Sequence, residues 1–208
     1  MSRAPEPIAV AILARAPLPG LAKTRLIPVL GAHAAAVLQE RLTGRAVEAA
    51  CAAAVGPVTL WGAPDARHRI FAELATRFAV TCADQPNGDL GTRMLTALEA
   101  ASGPALVIGT DCPALTAEHL RQAADILRGE CDAVVVPAED GGYVLIGMRV
   151  PQVALFDDMT WSTDNVMAVT RERLRGAGLA WKELPPLWDI DREADFDRAE
   201  REGFDLLG

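Results

Sequence analysis

Ala105-Leu106-Val107-Ile108-Gly109-Thr110-Asp111-Cys112-Pro113 is a short apolar run that stops at a carboxylate. Gly103-Pro104 precedes it and Cys112-Pro113 closes it, so it reads as a buried strand of a parallel sheet. Ligands of open α/β sheets bind outside the carboxyl ends of the strands. The reading therefore puts Asp111 at the rim of a crevice, where a carboxylate can hold a divalent metal and the metal a phosphate. The alternative is that Asp111 caps the next helix or orders a turn.

The surrounding chain fits such a sheet. Its 208 residues suit one domain spanning 1–208, with a polar, Pro-containing tail at 1–6 expected to be mobile. Half the residues are hydrophobic and few are aromatic, which suits Ala-lined helix–sheet packing. A formal net charge of -8 and the lack of any Lys/Arg-rich block argue against nucleic acid or an anionic membrane surface as partner. The cysteines Cys51, Cys82, Cys112 and Cys131 have no zinc spacing and read as free thiols of a cytoplasmic protein. His33, His68 and His119 are isolated and read as surface or capping residues.

Taken in order, Ile8 to Ala14 is the first strand, apolar enough to be covered on both faces. The next residues, Arg15-Ala16-Pro17-Leu18-Pro19-Gly20-Leu21-Ala22-Lys23-Thr24-Arg25, form a loop carrying Arg15, Lys23, Thr24 and Arg25. A cationic, Gly-containing loop after a strand suits a phosphate. It is neither a Walker A loop nor a dinucleotide fingerprint, and a plain solvated basic loop is the alternative. A helix lies within 31–54, with Leu38, Leu42, Ala46, Ala49 and Ala53 recurring at helical spacing. A strand at 58–61, a helix at 65–78 and a short strand at 79–82 follow.

Residues 84–94 begin as a turn and become a helix with Leu90, Met94, Leu98 and Ala101 on one face. Gln85 could read a base or sugar edge, Arg93 could reach the same crevice, and Gly88 permits close backbone approach. An ordinary Gly/Asn turn capped by Asp89 accounts for the same residues. After the central strand come a helix from Thr116 to Leu127 and a strand at 132–137. Glu139-Asp140-Gly141-Gly142-Tyr143 then makes a hairpin reversal into Val144 to Gly147. The turn explains Gly141-Gly142; the gathering of Glu139, Asp140 and the only tyrosine suggests a site as well. Residues 150–161 read as an irregular crossing, Ser162 or Thr163 as the cap of a helix near Asn165, and 179–184 as the last strand. Asp189-Ile190-Asp191 precedes an acidic helix, with Asp191 a plausible N-cap.

Together these pieces put a basic loop, a strand-ending acid and a distant acidic pair on one rim. Two or three carboxylates can hold Mg²⁺ or Mn²⁺, and cations can take up charge on a departing nucleoside diphosphate. The ordered blocks resemble the nucleotide-diphospho-sugar transferase superfamily with the GT-A fold, and more closely the bacterial arsenosugar-biosynthesis-type glycosyltransferases. They are Ala14-Arg15-Ala16-Pro17 with Pro19-Gly20 and Lys23-Thr24-Arg25-Leu26; Gln85 with Gly88-Asp89-Leu90-Gly91 and Arg93-Met94; Ile108 to Pro113; Pro137 with Glu139 to Tyr143; Trp161-Ser162-Thr163; and Asp189-Ile190-Asp191.

The resemblance implies a three-layer α/β/α sandwich with a mixed, mostly parallel sheet. It implies catalytic roles for Asp111, Lys23 and Asp140. Ala14, Arg15, Gly20, Lys23, Thr24, Arg25, Gln85, Gly88 and Arg93 would bind the nucleotide. Asp111 would ligate the metal; only one acid stands where the superfamily often has D-x-D, so Asp189 or Asp191 would be the second ligand. Asp140, Gly141, Gly142, Tyr143 and Trp161 would face the sugar or acceptor. The expected reaction is glycosyl transfer from a nucleotide sugar to a small acceptor. Nucleotidyl transfer from an NTP is the runner-up; an Asp-nucleophile phosphotransferase and a non-enzymatic nucleotide-binding module are further alternatives.

Overall fold

The structure, a computed structural model, describes residues 5–207. Most of the expected 1–6 tail lies outside the described residues, and its end is tied down: the Arg128 guanidinium donates to the Glu6 carbonyl at 2.9 Å.

Seven strands form one sheet: β1 (Ala9–Arg15), β2 (Val58–Ala63), β3 (Thr81–Asp84), β4 (Ala105–Ile108), β5 (Ala133–Pro137), β6 (Tyr143–Met148) and β7 (Trp181–Glu183). Their spatial order is β3-β2-β1-β4-β6-β5-β7. Only β6 runs against its neighbours, pairing antiparallel with β4 and β5. The sheet is thus mixed and mostly parallel, as expected.

Strand composition follows from having helices on both faces. In β1, Val10, Ile12 and Ala14 pack on α1 (Ile27–Ala53), α2 (Arg69–Phe78) and α4 (Ala117–Arg128), while Ala11 faces the other way. The central strand divides likewise, Leu106 and Ile108 to the first side and Ala105 and Val107 to the second. The second side is covered by α3 (Leu90–Glu99) and α5 (Val166–Gly176). A satellite cluster joins Leu26, Leu38 and Leu42 to Trp188, Ile190 and Phe196, docking α6 (Glu193–Arg201) beside the start of α1. That docking holds residues 189–191 against the carboxyl end of β4, where Ile190 N–H donates to the Asp111 carbonyl at 2.8 Å.

Several expectations shift. Helix α1 starts before Gly31 and continues through it as a kink at φ 78°, and Val47 and Ala50 replace Ala46 and Ala49 on its fully buried face. Leu90 is 44% exposed; α3 buries Gly91 and Ala97 with Met94 and Leu98. The irregular 150–161 segment is no mere crossing, since Leu155, Phe156 and Met159 are core residues. Helix α5 starts after Asn165 with no side-chain cap. Asp191 does not cap α6. Asp195 reaches back and accepts from both Asp191 N–H (3.1 Å) and Arg192 N–H (2.8 Å), which frees the Asp191 carboxylate.

The β5–β6 reversal is built around Gly141. Its φ of 93° is one that L side chains rarely adopt, and a Cβ there would lie 2.1 Å from the Asp164 carbonyl oxygen. The same close approach lets Met167 N–H donate to the Gly141 carbonyl at 2.8 Å, seating α5 on the hairpin. Gly142 has no such restriction: its Cβ would meet only Asp140 Oδ1, at 3.3 Å. Gly141→Ala is therefore expected to lower unfolding free energy by about 1–3 kcal/mol or more through strain and backbone collision. Gly142→Ala should lower it by less than about 1 kcal/mol, and chemical denaturation of the two variants side by side checks the contrast.

Candidate active site

The loop after β1, the carboxyl ends of β1 and β4, residues 85–94 and residues 189–191 surround a cavity of about 650 Å³. This is the strand-end crevice that the sheet topology calls for.

Its floor is a buried polar chain leading to Asp111. Gln39, on α1 and 3% exposed, donates through Nε2 to Thr110 Oγ1 at 3.0 Å. An amide nitrogen can only donate, so the Thr110 hydroxyl proton is turned onward to Asp111 Oδ1 at 3.2 Å. The same Oδ1 receives Lys23 Nζ at 2.8 Å, and that ammonium also donates to the Ile190 carbonyl at 2.6 Å. The Lys23 side chain is 4% exposed, against 49% for Asp111. Lys23 holds left-handed backbone, φ 47° and ψ 44°, which for a non-glycine residue costs on the order of 1–3 kcal/mol. The strained bend turns the ammonium into the cluster.

The second loop cation is also engaged: Arg25 Nη1 bonds Asp191 Oδ2. Lys23 and Arg25, expected at the nucleotide, are thus paired with two of the acids expected at the metal. The free positive charge is elsewhere. Arg15, the last residue of β1, lines the cavity exposed and has no side-chain partner among the described residues. Arg93 lines it too, its Nε buried without a partner and its Nη1 only 3.5 Å from Gln85 Oε1.

Asp189 is the acid with unmet needs. Its Oδ1 is buried and has no hydrogen-bond partner. Burial, then the nearby charges of Asp111 and Asp140, push its carboxyl up to about 7, with Lys23 acting in the opposite direction. A buried, unpartnered carboxylate oxygen beside a second carboxylate fits a hard cation such as Mg²⁺ or Mn²⁺, which keeps several waters and adds phosphate oxygens. Of the three acids expected at the metal, Asp111 is paired with Lys23 and Asp191 with Arg25, while Asp189 keeps a buried oxygen without a partner. Among the described residues no group of three or more His, Cys, Asp or Glu side chains forms a ready metal cage. Cys112 lines the same cavity, and burial, followed by the charge of Asp189, pushes its thiol up to about 12, so it offers no thiolate nucleophile.

Gln85 lines the cavity but spends both amide donors on backbone. Nε2 bonds the Ala14 carbonyl at 2.9 Å and the Trp61 carbonyl at 2.8 Å, clamping the ends of β1 and β2. These bonds make Gln85 a clamp between two strand ends, with its Oε1 3.5 Å from Arg93 Nη1. Ala14, Thr24, Gly88 and Tyr143 line the cavity as expected. The Tyr143 hydroxyl is buried and unpartnered, and burial raises its phenol above the usual value. Trp161 stands behind the wall: its indole N–H donates to Asp89 Oδ2 at 3.1 Å, and its ring meets Tyr143 edge-on at 6.4 Å.

Gly20, Asp140, Gly141 and Gly142 do not line the cavity. Asp140 Oδ1 accepts from Gly142 N–H at 3.0 Å, a bond that orders the hairpin. Gln39 and Thr110 were missed in the sequence. A Gln-x-x-x-Thr pair on the apolar face of α1, Gln39 with Thr43, was the available signal: a polar residue buried between Leu38 and Leu42 needs a partner.

The whole molecule resembles several solved structures. One, from Desulfovibrio desulfuricans G20 and provisionally named a nucleotide-diphospho-sugar transferase, matches at 26% identity and a TM-score of 0.82, over 96% of this chain and 93% of the other. A Methanothermobacter nucleotidyl transferase matches at 15% identity and TM-score 0.62, over 94% and 97%. The 4-diphosphocytidyl-2C-methyl-D-erythritol synthase of Anaerococcus prevotii DSM 20548 matches at 12% identity and TM-score 0.62, over 94% and 98%. The last two likenesses establish the fold alone, which is the one expected. No curated protein matches the sequence significantly. Residues 46–163 match the family described as an uncharacterized protein conserved in bacteria (DUF2064), and the chain belongs to that family.

Proposed function

We propose that this protein is a transferase that moves a glycosyl group from a nucleotide-diphospho-sugar to a small acceptor, with Mg²⁺ or Mn²⁺ bound at Asp111 and Asp189. The carrying observation is the convergence of Asp111, Asp189, Lys23, Arg15 and Arg93 on one strand-end cavity of about 650 Å³, a volume within the usual range for small-molecule sites. The 26% identity with the Desulfovibrio protein supports the same reading.

In the reaction the bond between the anomeric carbon and the diphosphate oxygen breaks, and its electron pair leaves with the nucleoside diphosphate. A bond from the anomeric carbon to the acceptor nucleophile forms, and the acceptor proton passes to a base or to water. When bound, the divalent ion would supply positive charge to the departing diphosphate. Arg15 and Arg93 carry charge that no acid among the described residues pairs with, so they meet the phosphates at least cost. Before substrate enters, Lys23 fixes the loop against Asp111 and Ile190, and Thr110, backed by Gln39, sets the carboxylate's orientation.

Nucleotidyl transfer is the second reading, favoured by the four cationic or hydroxyl side chains of the first loop, which suit a pyrophosphate leaving group. The two differ in product: nucleoside diphosphate in one case, pyrophosphate in the other. The reading takes neither nucleic acid nor membrane as partner, given the charge of -8, and places the free thiols Cys51, Cys82, Cys112 and Cys131 in the reducing cytoplasm. No helix among the described residues is long and apolar enough to cross a membrane.

A thermal-shift screen of nucleotides and nucleotide sugars, with and without Mn²⁺, is expected to show metal-dependent stabilisation by one base class. Product analysis with that donor then separates the two transfers. Asp111→Asn should abolish the metal-dependent shift and lower turnover by about 10²-fold or more; unchanged binding and rate would remove Asp111 from its assigned role. Arg15→Ala and Arg93→Ala should each raise the nucleotide Kd about tenfold, as for loss of a charge-assisted hydrogen bond. The melting temperature of the Arg15 variant should match wild type, because its side chain has no partner to lose.

A further inference from the structure

We propose that the Lys23 ammonium is a placeholder for the divalent ion: it occupies the cation seat at Asp111 while the cavity is empty and leaves that seat when metal and diphosphate enter together. The inference rests on the metal-dependent reading above and concerns how that same site is regulated.

Four observations carry it. First, Lys23 Nζ is held by oxygen atoms alone, Asp111 Oδ1 at 2.8 Å and the Ile190 carbonyl at 2.6 Å, which is the kind of ligand set a hard cation takes. Second, both Lys23 and Thr110 address Oδ1 of Asp111, so Oδ2 receives no donor among the described residues, and Asp189 Oδ1 nearby is buried and unpartnered. The seat is more acidic than one ammonium requires.

Third, the chain has two lysines, Lys23 and Lys182, against eighteen arginines. A guanidinium is a planar fork suited to permanent bidentate pairing, whereas an ammonium is a compact, rotatable point charge. The cation buried at this acid is thus one of the two exceptions to a strong arginine preference, and it is the type that best imitates a metal ion. Fourth, the side chain is 4% exposed and aimed by strained left-handed backbone, φ 47° and ψ 44°. Strain held in the empty state and released on exchange lowers the barrier to leaving.

The consequence is an order of binding. A divalent ion arriving alone must displace an ammonium that has nowhere favourable to go. A diphosphate arriving with the ion offers the ammonium a new set of anionic oxygens, so each makes the other's binding stronger, by equal factors at equilibrium. Metal binding without nucleotide is therefore weak, and Lys23 is the cause of the weakness.

The test is Mn²⁺ binding followed by electron paramagnetic resonance of the free ion, on nucleotide-free full-length protein. Lys23→Met keeps the apolar stem and removes the charge. It is expected to bind Mn²⁺ at least about tenfold more tightly than wild type, since a like charge beside the ion is gone, and Lys23→Met with Asp111→Asn should lose the gain. Equal or weaker Mn²⁺ binding by the folded Lys23→Met protein overturns the placeholder.

A second measurement needs no variant. Acylation of lysine amines by acetic anhydride, read by mass spectrometry, compares Lys23 with Lys182 in wild type. Lys23 should be protected without ligand and should become at least several-fold more reactive as high Mn²⁺ fills the site; saturation with Mn²⁺ at unchanged Lys23 reactivity also overturns the inference. Failure of the transferase reading has another signature: no nucleotide or nucleotide sugar stabilises the protein at any Mn²⁺ concentration, whatever Mn²⁺ alone does to Lys23.

Discussion

One buried ammonium joins three parts of the chain that are far apart in sequence. Lys23 sits in the bend after β1, Asp111 ends β4, and the Ile190 carbonyl belongs to the segment before α6. The Ile190 N–H closes the junction by bonding the Asp111 carbonyl at 2.8 Å. Every other feature of the cavity is placed relative to that junction. The bend carries Arg25 with it, Arg15 stands before it at the end of β1, and the 189–191 segment brings Asp189 to the same cavity as Asp111. Behind the junction, Gln39 and Thr110 satisfy one another in a fixed hydrogen-bond direction, so the floor of the site is set by α1, an element with no other role in the chemistry.

The fold was legible because it rests on patterns that solvent exclusion imposes. Strands apolar on both faces, as at 8–14 and 105–108, require covering helices, and the glycine pair after Asp140 requires a reversal. Boundaries were less legible where tertiary contacts decide them. Helix α1 runs on through Gly31 because its first turns join the cluster around Trp188 and Ile190. The 150–161 stretch carries no period because its one helical element is a single 3-10 turn, Val153–Leu155, around which Leu155, Phe156 and Met159 are buried.

At the site, the structure brings most of the segments singled out in the sequence to one cavity and shows how their side chains are bonded there. Asp111, Lys23, Gln85 and Asp189 all meet at the cavity. What a linear pattern does not carry is how each side chain spends its hydrogen bonds. Gln85 has its donors committed to two strand-end carbonyls. Asp140 orders a turn, and Gly141 is needed for a close backbone approach. Asp191 looked like a helix cap until Asp195, one turn onward, proved to serve that end. In each case two roles compete for one residue type, and the choice depends on a neighbour: distant in sequence for Gln85 and Gly141, one helical turn away for Asp191, two residues on for Asp140.

The charge around the cavity explains how an acidic chain can present a site for a polyanion. Asp89, Asp111, Asp189 and Asp191 line it, and so do Arg15, Lys23, Arg25 and Arg93: four formal charges of each sign in a chain with a net charge of -8. Long-range attraction of an anion is therefore weak, and the local balance has to do the selecting. On the proposed reading a diphosphate alone would compete with Asp111 and Asp191 for Lys23 and Arg25, and a divalent ion alone would meet an ammonium already seated. A metal–diphosphate pair brings both signs at once. On the proposed reading it would replace the internal Lys23–Asp111 pairing with external ones of the same sense, leaving little charge unmatched in a partly dry cleft. On the proposed reading, selection of the pair over either component would follow from a site whose formal charges already balance.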